Sequence, residues 1–151
     1  MQLWNASMLI GIAAIDKQHE GLVRQIGLLA ENIYSGKSSE QFDEMFRFLE
    51  KYVIEHFNYE EQLMRENRYP KYEAHRSLHE EFIKNLELYN FSVQNKQATH
   101  TESYALFKTL LDWLLTHIMK EDKSIALFIK ASQHHSLLQK KTPSTKEKPV
   151  A

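Results

Sequence analysis

Six side chains able to bind a metal or carry a proton stand where apolar residues belong: His19, His56, Glu60, His75, His79 and His117 fall on the hydrophobic stripes of amphipathic segments. A polar group buried without a partner costs roughly 2 to 7 kcal/mol, so these residues must satisfy one another or share something between them. Residues four apart on a helix lie on one face, a turn apart, so His56 with Glu60, and His75 with His79, each aim at a common point. Imidazole and carboxylate together suit first-row metals, iron among them. The chain has no cysteine. That excludes disulfides, thiolate metal sites, cysteine-ligated iron–sulfur clusters and thiol nucleophiles, and leaves nitrogen and oxygen to hold any metal. One histidine on an apolar face is more often a hydrogen-bonded core residue than a ligand. Five histidines and a glutamate aligned on four separate stripes are not independent accidents.

The elements that must position them read as four amphipathic helices. The first stripe is His19, Leu22, Ile26, Leu29 and Ile33, with Asp16 placed to cap the helix start and Gly36 to Ser39 ending it. The second runs Phe42, Phe46, Leu49, Val53, His56, Glu60 and Leu63, until Asn67 and Pro70 break the pattern. The third runs Tyr72, His75, His79, Phe82, Leu86 and Tyr89, followed by a polar connection from Asn90 to Thr101. The fourth runs Leu106, Leu110, Trp113 and His117, and Ile125, Phe128 and Ile129 continue beyond it. Short breaks between such helices predict an all-α fold, an up-down-up-down four-helix bundle with a metal site in its core and helices about 30 Å long. Residues 1–138 are expected to form this domain, and 139–151, rich in Lys, Thr, Ser and Pro, a disordered polar tail.

Composition narrows the partners. The 151 residues are 42% hydrophobic and 26% charged, with four Gly and three Pro, which suits one helical domain better than an all-β fold with its many turns. The net charge is −1 with Lys and Arg dispersed, so nucleic acid is not an expected partner. The apolar run Met8 to Ile15 is far too short to span a bilayer and lacks the basic residues that open a signal peptide. No membrane association, a cytoplasmic location and a monomeric state are expected.

The chain resembles the hemerythrins, most closely the single-domain bacterial members called bacteriohemerythrins. The resemblance covers nearly all of the sequence before the tail. It rests on Trp4, the segment Gly11-Ile12-Ala13-Ala14-Ile15-Asp16-Lys17-Gln18-His19, His56-Phe57-Asn58-Tyr59-Glu60, His75-Arg76-Ser77-Leu78-His79 and His117-Ile118-Met119-Lys120-Glu121-Asp122. It implies a non-heme di-iron centre in which His75, His79 and His117 hold one iron and His19 and His56 the other. Glu60 and Asp122 bridge the pair, with an oxo or hydroxo group as third bridge. Dioxygen then binds reversibly at the open position of the two-histidine iron, as hydroperoxide, for storage, transport or delivery. Leu22, Phe57, Trp113, Leu114 and Ile118 are placed around that position as an oxygen pocket. An oxygen-consuming protein is an expected recipient. The chain is then no enzyme; the alternatives are a di-iron sensor or an enzyme processing peroxide or nitric oxide.

Asp122 is the one ligand that helical spacing does not supply. Five residues turn an ideal helix about 140° away from the starting face, so His117 and Asp122 should diverge and Glu121 fits ideal geometry better. The resemblance selects Asp122, and therefore predicts a widened turn of π character between Trp113 and Ile125. Two carboxylates and one hydroxide around two ferrous ions leave about one positive charge. Enzymes with more carboxylates favour highly oxidised iron, and their Glu-x-x-His motif is absent, as is the zinc-protease pattern His-Glu-x-x-His. His100, His134 and His135 are expected on loops or the surface, without a role.

Overall fold

In the computed structural model, residues 4–35, 39–95 and 100–141 are described. A short 3₁₀ turn, Ala6–Met8, precedes five helices: α1 Ala13–Tyr34, α2 Ser39–Glu66, α3 Tyr72–Gln94, α4 His100–His117 and α5 Lys123–Lys141. A π-helical turn, Ile118–Asp122, joins α4 to α5, and the residues on either side of it, His117 and Lys123, both keep right-handed helical backbone. These three pieces form a fourth continuous rod. Contacts run from α1 to α2, α2 to α3, α3 to α4 and α4 back to α1, which closes a four-helix bundle.

The predicted stripes are the buried faces. Leu22, Ile26 and Leu29 of α1 meet Phe46, Leu49, Val53 and Phe57 of α2, Phe82, Leu86 and Tyr89 of α3, and Leu114 of α4 in one apolar cluster. Each large side chain buried there contributes about 1.5–3 kcal/mol. A smaller cluster of Met64, Tyr69, Ile125 and Ile129 closes the end near the α2–α3 link, beside Ile10, Ile15 and Ala126. Among the expected apolar positions, Leu63, Tyr72, Leu110, Trp113 and Phe128 are only partly buried, and Met64, one residue past Leu63, takes the inner place on α2. The side chains of Ile33, Phe42 and Leu106 lie outside the described residues.

Three boundaries differ from expectation. Asp16 lies inside α1, one turn past its start, and its carboxylate accepts the N–H groups of Ile10 at 2.7 Å and Gly11 at 3.0 Å. It fastens the leading segment instead of capping the helix. Gly11 has φ +85, a left-handed conformation that glycine adopts without strain, and it turns this segment into α1. The polar connection expected from Asn90 is shorter, because α3 continues to Gln94 and α4 already begins at His100. His134 and His135 are on the surface as expected, but on a helix, since α5 reaches Lys141. The expected tail lies outside the described residues from 142 onward.

The α2–α3 link ends α2 in a Schellman turn. Tyr69 N–H donates to the Met64 carbonyl at 2.9 Å and Arg68 N–H to that of Arg65 at 3.1 Å, with Arg68 at φ 53 in the left-handed position. Among the described residues no helix is long and apolar enough to cross a membrane.

Candidate metal centre

Along three of the four rods the polar site interrupts apolar core. Ile15 and Leu22 flank His19 on α1; Phe57 and Met64 flank Glu60 on α2; Ile118 and Ile125 flank Asp122 on the fourth rod; all six flanking residues are at most 1% exposed. The site is thus walled above and below by hydrocarbon, in surroundings where unpaired charge is expensive.

The structure brings all seven candidate ligands together. Glu60, His75, His79, His117 and Asp122 form one group of mutually close ligand atoms, and His19, His56, Glu60 and Asp122 form another. Glu60 and Asp122 belong to both. All seven residues are buried, none more than 3% exposed. The turn that delivers Asp122 is the π-helical one: the extra residue per turn swings Asp122 back onto the face of His117, so that Oδ1 lies 3.1 Å from His117 Nε2. Glu121 instead lines a surface groove with Leu78, Asp112, Trp113, Thr116 and His117.

The inner atoms crowd one another, and only some of them pair. His117 Nε2 lies 3.1 Å from His79 Nε2 and 3.2 Å from His75 Nε2. Carboxylate oxygens of Glu60 and Asp122 come within 3.1–3.7 Å of the imidazole Nε2 atoms. Yet both oxygens of Glu60, both of Asp122, and Nε2 of His19 and His56 lack a hydrogen-bond partner among the described residues. Native interiors leave few such atoms unsatisfied. The shorter of these separations, 3.1–3.3 Å, are close to the roughly 3.0 Å edge of an octahedron around an ion with bonds of about 2.1 Å to nitrogen, so the donor set fits first-row metal ions.

The electrostatics agree. Burial disfavours the charged forms of His19 and His75, but Asp122 and Glu60 outweigh it and raise both to about 9. At His56 burial dominates, with His19 and His79 acting the same way against Glu60 and Asp122, and lowers it to about 4. Burial also pushes Glu60 and Asp122 upward, Glu60 further raises Asp122, and the surrounding histidines more than reverse this, so both carboxyls stay well below their usual range. Without a cation the cluster would keep its two carboxylates ionised by holding protons on imidazoles.

Leu22, Phe57, Leu114 and Ile118 are buried in the large apolar cluster, and Trp113 packs against it half-buried at the surface groove. The Phe57 ring stacks on His79 at 3.8 Å and 2°, and Trp113 stacks on His117 at 4.7 Å and 12°. Both rings therefore cover histidines of the five-residue group, while the Trp4 ring is 6.3 Å from His19. Two contacts escaped the reading of sequence. Gln18 Oε1 is 2.9 Å from His56 Nδ1, and Glu61 Oε1 is 3.1 Å from His79 Nδ1. The available signal was adjacency, since each acceptor is the chain neighbour of a ligand-type residue.

A model of the Hemerythrin HHE cation binding domain matches residues 10–128. Over 132 residues the chain is 32% identical to a bacteriohemerythrin of Pseudomonas paraeruginosa, covering 87% of this chain and 82% of that protein. A bacteriohemerythrin of Stenotrophomonas maltophilia is 32% identical over 133 residues, covering 85% and 82%. A myohemerythrin of Theromyzon tessulatum is 24% identical over 119 residues, covering 79% and 86%. With the matched span running from the leading segment into α5 and enclosing every residue of the buried cluster, the chain belongs to the hemerythrin family.

Proposed function

We propose that this protein is a non-heme di-iron oxygen-binding protein that takes up and releases dioxygen reversibly, as a store or carrier. In this reading His75, His79 and His117 hold one iron, His19 and His56 hold the other, and Glu60 and Asp122 join them. The observation that carries it is the pair of overlapping donor groups that share both carboxylates, one with three imidazoles and one with two. The poorer group is one donor short, which leaves it room for an exogenous ligand.

Bound iron supplies the electrons that dioxygen takes on association and returns on release. The chain supplies the surroundings. Leu22, Phe57, Leu114 and Ile118 exclude water from the site, and Trp113 closes it on the side of the groove. Exclusion of water and protons favours release of dioxygen over its loss in reduced form. Steady turnover of peroxide or nitric oxide would need a proton donor, and this wall is apolar. Residues 1–138 form the oxygen-binding domain in this proposal, 139–151 a polar tail, and the recipient is an oxygen-consuming protein.

The test is an absorption spectrum with iron analysis. Purified protein should hold about two irons per chain, and the protein reduced without oxygen should gain visible bands on adding dioxygen and lose them on removing it. Bands that never form, or cannot be reversed, would overturn the carrier reading.

A further inference from the structure

Each imidazole of the cluster turns one nitrogen inward, and what meets the other nitrogen differs between the two donor groups. His56 of the smaller group has Nδ1 2.9 Å from the amide oxygen of Gln18. His79 of the larger group has Nδ1 3.1 Å from the carboxylate of Glu61. With Nε2 directed at the cluster, Nδ1 carries the proton and donates it in both bonds, so the geometry is alike and the charge is not. Nδ1 of His19 and of His75 lacks a hydrogen-bond partner among the described residues.

The placement follows from helix geometry. Glu60 and Glu61 are consecutive on α2, so when one points into the core the other, about 100° around, lies at the edge facing α3, where His79 stands. Gln18 and His19 do the same on α1 toward His56 of α2. α1 and α2 thus each supply a ligand-type residue and, beside it, an acceptor for the next helix's histidine. Phe57, stacked flat on His79, fixes the plane of the ring that Glu61 orients. The Glu61 side chain is 16% exposed, so its charge is only partly screened by water.

We propose that Gln18 and Glu61 are positioning residues that make the two metal positions electrically unlike. An anionic acceptor on an imidazole N–H raises the basicity of the opposite nitrogen, whereas a neutral amide orients the ring with little added charge. Glu61 therefore favours the more oxidised ion at the His75, His79 and His117 position, and Gln18 leaves the His19 and His56 position less electron-rich and readier to exchange its ligand. This rests on the reading that the cluster holds iron.

The experiment uses the full chain loaded with iron, and compares the parent with Glu61→Ala, Glu61→Gln and Gln18→Glu. Three quantities are read: iron per chain, the rate of iron loss to a chelator, and the midpoint potential, with helical content as a check on folding. Glu61→Ala should lose iron about 10- to 100-fold faster. Glu61→Gln keeps an acceptor, so it should hold iron nearly as well as the parent but with a raised midpoint potential, and Gln18→Glu should lower the potential. If Glu61→Ala does not fold, the two folded variants decide through the potential alone. Parent-like potentials in both Glu61→Gln and Gln18→Glu would overturn the charge asymmetry, and parent-like iron loss in Glu61→Ala would overturn positioning. A parent that takes up no iron would instead bring down the underlying metal reading.

Discussion

Nε2 of His117 and Oδ1 of Asp122 lie 3.1 Å apart although their positions on an ideal helix point about 140° away from each other. The π-helical turn from Ile118 to Asp122 reconciles them, and it brings the carboxylate of Asp122, not that of its neighbour Glu121, into the buried cluster. Asp122→Asn should lower iron affinity at least about tenfold, whereas Glu121→Gln should bind iron like the parent. Metal analysis after dialysis against a weak chelator separates the two; the reverse order would place the wrong carboxylate in the site.

Leu114 is fully buried one turn before His117. Leu114→Ala should cost about 2–5 kcal/mol of stability through the cavity it leaves, and should hasten autoxidation of the oxygenated protein by admitting water. Trp113→Ala should act in the same direction by uncovering His117 at the groove. Decay of the oxygenated bands, followed well below the unfolding temperature, measures both. Unchanged rates would remove the gating role of this wall.

Metal uptake should release protons. In the metal-free cluster burial lowers His19 and His75, but Asp122 and Glu60 prevail and raise both to about 9. Their contribution to folding of the metal-free protein is therefore fully present below about pH 6.5 and fades as the pH rises through about 9. At neutral pH an incoming cation must displace those protons, so apparent affinity should increase with pH up to that range. Titrating metal-free protein with zinc in weak buffer and following pH tests this, since zinc changes no oxidation state. Loading without acidification would contradict it.

Arg68 occupies the left-handed position that ends α2. A non-glycine residue pays about 1–2 kcal/mol there, partly offset by the greater freedom glycine has when unfolded. Arg68→Gly should raise stability by about 0.5–1 kcal/mol without altering iron content, as chemical denaturation would report. A loss of stability would mean that the Arg68 side chain makes a compensating contact.

Much of this molecule was legible because polar residues at core positions are costly and therefore conspicuous. His19, His56, Glu60, His75, His79 and His117 stood out on periodicity alone, and that same periodicity yielded the four-helix bundle. Asp122 did not, because a π turn shifts the period locally and only resemblance selected it. Gln18 and Glu61 were hidden for another reason: polar residues at the margin of a helix's solvent face look the same whether or not they reach a neighbouring histidine. The ends of α3 and α4 were misplaced because polar residues such as Asn90 and Ser92 are tolerated in a helix once it is already propagating.

The segment before α1 is tied to α5. Lys130 Nζ donates to the Ile10 carbonyl at 3.2 Å and Lys123 Nζ to that of Ser7 at 3.3 Å, contacts spanning 120 and 116 residues. During synthesis, then, Ser7 and Ile10 must wait for Lys123 and Lys130 before these bonds can form. Asp122 follows every histidine of the cluster in the sequence, so a growing chain can display all five imidazoles while still lacking one shared carboxylate. The complete donor set therefore exists only once synthesis has passed Asp122, and shorter nascent fragments lack it.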